Sequence, residues 1–269
     1  MNSPVKSRVK SSLVQTPFRV LAALLLIGIG WSCLGDRSRA RGSIAPASKT
    51  GPASACLREG SKRARSFFRL SPDRKRIVRA LHGALAIKDI QTARTLLLRA
   101  SPNEVDPGGN SPLHSAAYGD CSACALLLFQ TGADPNPRDA LGRTPLHIAA
   151  GFGRLAFLRL LLQRGARPNA PDCFQARPLH EALIYGQNGA ARVLLQKGVR
   201  TDPADGWGWT PLHWAVYHKN REMARALLRR GAAPDRRDRR GRTPWSLARQ
   251  SRDQRIQELI RRFRNKQAP

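Results

Sequence analysis

The sequence predicts an all-α solenoid of stacked helix-turn-helix units, because one short phrase returns along the chain at a constant interval. The phrase is most complete at residues 144–149, which read TPLHIA. Its proline recurs with a step of 33 residues, and a leucine and a glycine column keep that step. A period of this length indicates helix pairs that bury their apolar faces only by stacking on their neighbours. The three columns are Pro112, Pro145, Pro178, Pro211 and Pro244; Leu128, Leu161, Leu194 and Leu227; and Gly132, Gly165, Gly198 and Gly231.

The phrase and its interval resemble the ankyrin repeat family, over roughly residues 78–265. The resemblance implies a repeat domain over residues 71–265, with β-hairpin-like loops that connect the helix pairs. It also implies non-catalytic binding of other proteins, through the loop tips and the exposed face of the first helix in each repeat. The predicted repeats span about residues 78–109, 110–142, 143–175, 176–208, 209–241 and 242–265.

Residues 1–35 have the pattern of a signal peptide or membrane anchor. Four basic residues and no acidic residue precede an apolar run that begins at Val20. The run is short for a membrane span, which needs about 20 residues, and basic residues are balanced on its two sides. The residues before Cys33 match the lipoprotein motif poorly, so we favour a Cys33 that is not lipidated. Whether residues 20–35 are cleaved, lipidated or retained stays open. We expect an exported or membrane-associated protein, periplasmic or extracytoplasmic in a bacterium, and a cytoplasmic one if the segment is not used.

Residues 36–70 are rich in Arg, Ser, Gly, Ala and Pro, which predicts a basic flexible linker. Basic side chains near its end surround Phe67 and Phe68. Two interpretations stay open for this cluster. The favoured one is a solvated tether whose two phenylalanines pack on the first repeat, and the other is docking on an anionic surface.

The repeat domain begins at residues 71–73, where Ser, Pro and Asp are typical of a helix start. The first repeat, around His82, lacks the proline of the phrase, as a capping repeat can. In the third repeat the pattern predicts a helix from Thr144 to about Gly151 and a second helix over residues 155–163. Gly165 is predicted to end that helix in the left-handed conformation. The last helix is predicted to bury one apolar face: Ile256, Leu259, Ile260 and Phe263.

Histidines and aspartates form two further columns with the same step, and both are predicted to be structural. Aspartates at turns accept hydrogen bonds from nearby backbone N–H groups. Packed helices lie about 8–10 Å apart, so neighbouring members of a column cannot share one metal ion or substrate. The family resemblance implies that each histidine bonds within its own repeat. The columns are His82, His114, His147, His180 and His213, and Asp106, Asp139, Asp172, Asp205 and Asp238.

Cys121 and Cys124 form a C-x-x-C pair, which is compatible with redox chemistry or half a zinc site. The repeat register aligns them with core positions, so we predict buried packing residues instead. Cys173 lies in the next loop and could pair with Cys121, which the sequence leaves open. Because no phosphate loop, nucleophile motif or convergent titratable pair accompanies them, we predict no enzyme, no metal site and no cofactor.

Residues that break the repeat pattern are the candidates for partner binding. The loop-tip column contains consecutive apolar residues of increasing size where a polar residue is usual, and exposed apolar patches commonly mark interaction sites. Aromatic and Arg side chains also dominate interface energetics. The alternative is that these rings pack on neighbouring loops and bury one another. The candidates are Leu141, Phe174, Trp207 and Arg240 at the tips, Trp209 beside them, and Ile148, Tyr185, Trp214 and His218 on the helix face.

The formal charge of +29 is concentrated in the flanks of the repeats, with 14 basic and 4 acidic residues after position 228. The predicted function is therefore a non-catalytic scaffold that binds an unidentified protein through its concave face and loop tips, and the protein is expected to be monomeric. The alternative is electrostatic binding to an anionic surface through the Arg-rich flanks. Of the possible anionic surfaces, a membrane is favoured. Nucleic acid is less favoured, because no nucleic-acid-binding motif accompanies the charge.

Overall fold

The computed structural model describes residues 52–267, and within that range the chain is helical and contains no β-strand. The thirteen helices are α1 (Pro52–Phe68), α2 (Pro72–Ala86), α3 (Ile90–Leu97), α4 (Pro112–Gly119), α5 (Ser122–Gln130), α6 (Pro145–Gly151), α7 (Leu155–Gln163), α8 (Pro178–Ile184), α9 (Asn188–Gln196), α10 (Pro211–Tyr217), α11 (Arg221–Arg229), α12 (Pro244–Gln250) and α13 (Gln254–Gln267). The predicted all-α class is confirmed.

The repeats form two layers of helices. The first helices, α2, α4, α6, α8, α10 and α12, pack side by side, and the second helices, α3, α5, α7, α9, α11 and α13, form the other layer. The leucines of the repeated phrase and the column Leu128, Leu161, Leu194 and Leu227 of the second helices are buried between the layers. Helices α6 and α7 match the predicted spans, and Gly165 has a φ of 85°. On α13, Ile256, Leu259 and Ile260 are buried and Phe263 packs against the same core.

Three members of the histidine column, His114, His147 and His213, each tie a helix start to the following loop. The Thr144 N–H donates to His147 Nδ1 at 3.0 Å, which leaves the proton on Nε2, and Nε2 donates to the Ala176 carbonyl at 3.2 Å. The family resemblance implied only the bond within the repeat, and the structure adds the bond to the next one. Burial lowers the pKa of both His147 and His180 to about 3, so these rings are neutral.

The aspartate column shapes the connecting loops, as predicted. Asp139 Oδ1 accepts the N–H groups of Leu141 and Arg143 at 2.9 and 2.8 Å, and the other four aspartates repeat this pattern. Successive loops are then joined by single backbone hydrogen bonds, such as Cys173 N–H to the Leu141 carbonyl at 2.9 Å. The loop tips therefore lie beside one another along one edge of the solenoid.

The prediction of a flexible linker over residues 36–70 is wrong for its second half, which is helix α1. Phe67 is buried and Phe68 is exposed, so one of the two rings packs as the favoured interpretation expected. The helix was missed because its contacts to the loops use Gly60 and Cys56 instead of a periodic apolar face. Residues 1–51 lie outside the described range, and with them the apolar segment, Cys33 and the first part of the expected linker.

Four of the cysteines form two disulfides, which corrects the prediction of free packing thiols. Cys121 caps α5 and Cys124 lies in its first turn, so their Cα atoms are 5.1 Å apart, within the range that a disulfide bridges. Both are buried, as the register indicated. Cys173 pairs with Cys56 and not with Cys121, because α1 brings Cys56 to a Cα separation of 5.3 Å.

Candidate protein-binding surface

Aromatic rings meet at the loop tips in the C-terminal half of the solenoid. Trp207 lies at the tip of the loop between α9 and α10, and 41% of its surface is exposed. Its ring is nearly parallel to that of Phe174 on the preceding loop, with centroids 6.4 Å apart. The Gly206 N–H donates to the Phe174 carbonyl at 2.6 Å, so a backbone bond holds the two tips together.

The ring cluster continues onto the exposed side of α10. Trp214 lies 6.5 Å from Trp207, 6.2 Å from Tyr217 and 6.0 Å from His218, measured between ring centroids. Tyr217 is 53% exposed and His218 is also exposed. We define the aromatic patch as Phe174, Trp207, Trp214, Tyr217 and His218. It joins two loop tips to one helix face.

Buried carboxylates fix the rings of the aromatic patch from below. The Trp214 indole N–H donates to Asp205 Oδ2 at 2.8 Å, and the same carboxylate accepts the backbone N–H groups of Trp207 and Trp209. Burial raises the pKa of Asp205, and these three donors oppose the shift. Trp209 packs under the patch, 4.5 Å from Trp214, and its indole N–H donates to Asp238 Oδ2 at 2.9 Å. The aromatic patch is therefore preorganised.

Arginines border the aromatic patch on the side of the last loop. Arg239 and Arg240 are exposed, and the Arg239 N–H donates to the Trp207 carbonyl at 3.3 Å. Arg242 lies over the Trp209 ring at 5.3 Å and pairs with Asp238 at 2.8 Å. The surface thus combines exposed apolar rings with a positively charged edge.

A family profile described as ankyrin repeats (3 copies) matches residues 81–172 and 169–238, which is more than half of the chain. The chain belongs to the ankyrin repeat family. Its fold is similar to a solved ankyrin repeat domain from Acinetobacter baumannii AYE, with a TM-score of 0.63 and 28% sequence identity. That comparison covers 68% of this chain and 96% of the bacterial domain. No curated protein matches this sequence.

Ankyrin repeat domains are in general protein-interaction scaffolds without catalytic activity. Within residues 52–267 no group of three His, Cys, Asp or Glu side chains is arranged to hold a metal ion. None of the helices in that range is both long and apolar enough to cross a bilayer.

Two of the predicted binding residues are buried in this ankyrin repeat structure, which corrects their assignment. Ile148 is 3% exposed, because α6 is packed between α4 and α8 and all its residues are buried. Trp209 is 8% exposed and supports the aromatic patch instead of facing a partner. Leu141 is half-buried in its loop, and Tyr185 is exposed at the end of α8, where it packs against Gly151.

Tyr217 is the exposed ring of the aromatic patch that sequence reasoning missed. Its column reads Tyr118, Gly151, Ile184 and Tyr217, so an aromatic residue does not recur in it consistently. The available signal was its spacing: Trp214, Tyr217 and His218 lie three and four residues apart, which places them on one helix face.

Proposed function

We propose that this ankyrin repeat protein binds a partner protein through the aromatic patch and does so without catalysis. The observation that carries the proposal is Trp207, a large ring that stays 41% exposed although Phe174 and Trp214 pack against it. Tryptophan and tyrosine held in fixed positions are typical anchors of protein interfaces, because they bury much area at a small cost in conformational entropy. Ring packing and partner binding are thus compatible at this surface.

The charge beside the patch defines the kind of partner that fits. Arg239 and Arg240 lie at its edge, and the whole chain carries +29. A segment with apolar side chains flanked by acidic residues would match both features, since complementary charge accelerates encounter and selects partners. Binding of such a segment would depend only moderately on salt, because the desolvated rings supply most of the affinity.

Affinity capture tests the proposal. The purified full chain, the double variant F174S/W207S and the control F68S are used as baits against an extract of the producing cells. Phe68 is a matched control because it is an exposed ring outside the aromatic patch. We expect wild type and F68S to retain a protein that the double variant loses, and mass spectrometry identifies it.

Thermal unfolding of the same three proteins separates binding from packing. We expect the double variant to unfold within a few degrees of wild type, because Trp209 and both aspartate networks remain. A large drop in stability with unchanged capture would contradict partner binding and support a purely structural role for the rings.

A second candidate function is binding to an anionic surface, and the exposed arginines of the last loop favour it. Arg236, Arg237 and Arg239 are all exposed there. Such binding depends on counterion release and falls steeply between about 50 and 200 mM salt. Sedimentation with vesicles of phosphatidylserine and phosphatidylcholine tests it, with a triple Gln variant of these arginines as the comparison. Equal binding by both proteins, or none by either, would exclude this candidate.

We also propose that the protein is exported or membrane-associated. Two disulfides support this, because such bonds persist mainly in oxidising compartments, and the pattern of residues 1–35 agrees with it. Mass spectrometry of the protein from its native source would establish the mature N-terminus and the state of Cys33. An intact N-terminus with four free thiols in the described range would contradict the proposal.

A further inference from the structure

Helix α1 lies against the first three connecting loops. Phe67, at its C-terminal end, borders a cavity shared with Glu104 and Val105 of the first loop. About one turn earlier, Arg63 Nη1 donates to the Arg138 carbonyl of the second loop at 3.4 Å. Towards its start, α1 therefore passes from the first loop to the second.

The middle of α1 approaches the second loop more closely than a side chain allows. A Cβ atom at Gly60 would lie 2.1 Å from the Ala140 carbonyl oxygen, so only glycine fits without a shift. Nearer the start of the helix, the disulfide joins Cys56 to Cys173 at the third loop tip, immediately before Phe174. Helix α1 thus reaches three loops, two of them at their tips, and its start lies beside Phe174 of the aromatic patch.

Few residues of α1 are fully buried. Among its residues whose exposure is described, only Gly60 and Phe67 are buried. The helix carries four basic residues and one acidic residue, and it lies on a strongly basic protein. Residues 53–59 therefore depend on the covalent bond for a fixed position more than the C-terminal half does, where Phe67 is anchored.

The two disulfides differ in their access to a reductant. Cys121 and Cys124 are 4% and 0% exposed, whereas Cys56 is half-buried on α1. Thiol–disulfide exchange requires a thiolate to reach one sulfur in line with the bond, so the rate depends on access to the attacked atom. Cys56 is the more exposed residue of its pair, because Cys173 is only 1% exposed.

We propose that α1 is a thiol-sensitive cover of the loop tips, latched by Cys56–Cys173. A dithiol reductant attacks Cys56 Sγ, the bond to Cys173 Sγ breaks, and Cys173 leaves as a thiolate that takes up a proton. The second thiol of the reductant then displaces Cys56 as a thiol and closes its own disulfide, so two electrons and two protons pass to the protein. The N-terminal half of α1 leaves the loops, and the tips at Ala140 and Gly142 become accessible next to the aromatic patch. This inference concerns the chain alone and does not depend on the proposed partner.

Graded reduction of the full chain tests the order of the two disulfides. All proteins carry C33S, so that the fifth cysteine cannot exchange. Dithiothreitol is titrated, free thiols are alkylated, and peptide mass spectrometry reports each cysteine. We expect Cys56 and Cys173 to be alkylated at a dithiothreitol concentration at least about tenfold lower than Cys121 and Cys124. Earlier or simultaneous reduction of the Cys121–Cys124 bond would overturn the proposal.

Hydrogen exchange tests the release of the helix. In the oxidised protein we expect the amides of α1 to be protected. After reduction, and in the C56S variant, we expect exchange over residues 55–63 to be at least about tenfold faster, while exchange in the repeats is unchanged. The variant C121S/C124S is the control and should leave α1 protected. G60A keeps the disulfide but removes the close approach to Ala140, and it should accelerate exchange in α1 even when oxidised. Unchanged exchange after reduction, or in C56S, would show that α1 needs no latch.

Discussion

Acidification to pH 5 should destabilise this protein through its buried histidines. In the folded state His147 Nδ1 accepts the Thr144 N–H and Nε2 donates to the Ala176 carbonyl, so a second ring proton would have to displace the first of these bonds. Burial lowers the pKa of His147 and His180 to about 3. In the unfolded chain the same rings titrate near pH 6.5.

The sign and size of the effect follow from proton linkage. Between about pH 3 and 6.5 the unfolded chain binds a proton at each ring and the folded protein does not, so the free energy of unfolding falls as the pH falls. One pKa unit corresponds to about 1.4 kcal/mol, so at pH 5.0 each histidine has lost about 2 kcal/mol of stabilisation. His147 and His180 together give about 4 kcal/mol. Burial also lowers the pKa of His114 and His213, which adds in the same direction.

Urea unfolding followed by circular dichroism at pH 7.5 and pH 5.0 measures this loss. The variant H147Q cannot titrate, so we expect its stability difference between the two pH values to be about 2 kcal/mol smaller than that of wild type. H218Q is the matched control, because His218 is exposed and outside the column, and it should alter the difference much less. A wild-type protein equally stable at both pH values, or an H147Q variant with the full pH dependence, would refute the reasoning.

Three further predictions concern stability and are measured by urea unfolding at pH 7.5. Asp205→Ala removes the acceptor of two backbone N–H groups and one indole, and should cost about 2–4 kcal/mol; a loss below 1 kcal/mol would contradict the loop role of the column. Leu161→Ala leaves a cavity at a fully buried position and should cost about 2–5 kcal/mol; a neutral result would place this side chain outside the core. Cys56→Ser opens a cross-link between residues 117 apart and should cost up to about 5 kcal/mol, whereas the Cys121→Ser/Cys124→Ser pair spans a separation of 3 and should cost about 2 kcal/mol. Equal losses for the two disulfides would contradict the loop-length argument.

The repeat itself was predictable because its period constrains every unit at once. The step of 33 residues places Asp139 at a turn in every unit, which predicts its role as an acceptor of backbone N–H groups. The bond of His147 within its repeat is what the family resemblance implied. The boundaries of α6 and α7 follow for the same reason, since the capping residues are part of the repeated unit.

Features outside the register were not predictable in this way. Helix α1 attaches through Gly60 and Cys56, and a single close approach or cross-link leaves no periodic signal in a sequence. The register places Ile148 on the first-helix face of its repeat but does not show that the neighbouring helices cover this position. Trp209 was misassigned because two tryptophans two residues apart in one loop do not reveal which of them lies underneath.

The most direct test of the central claim is the dissociation constant of the captured partner for W207A compared with wild type, alongside F68A as the exposed-ring control. If the aromatic patch is the binding surface, truncation of Trp207 should cost at least about 2 kcal/mol, which weakens binding roughly 30-fold, while F68A binds as wild type does and all three melt together. A W207A variant that binds its partner with unchanged affinity would contradict the account.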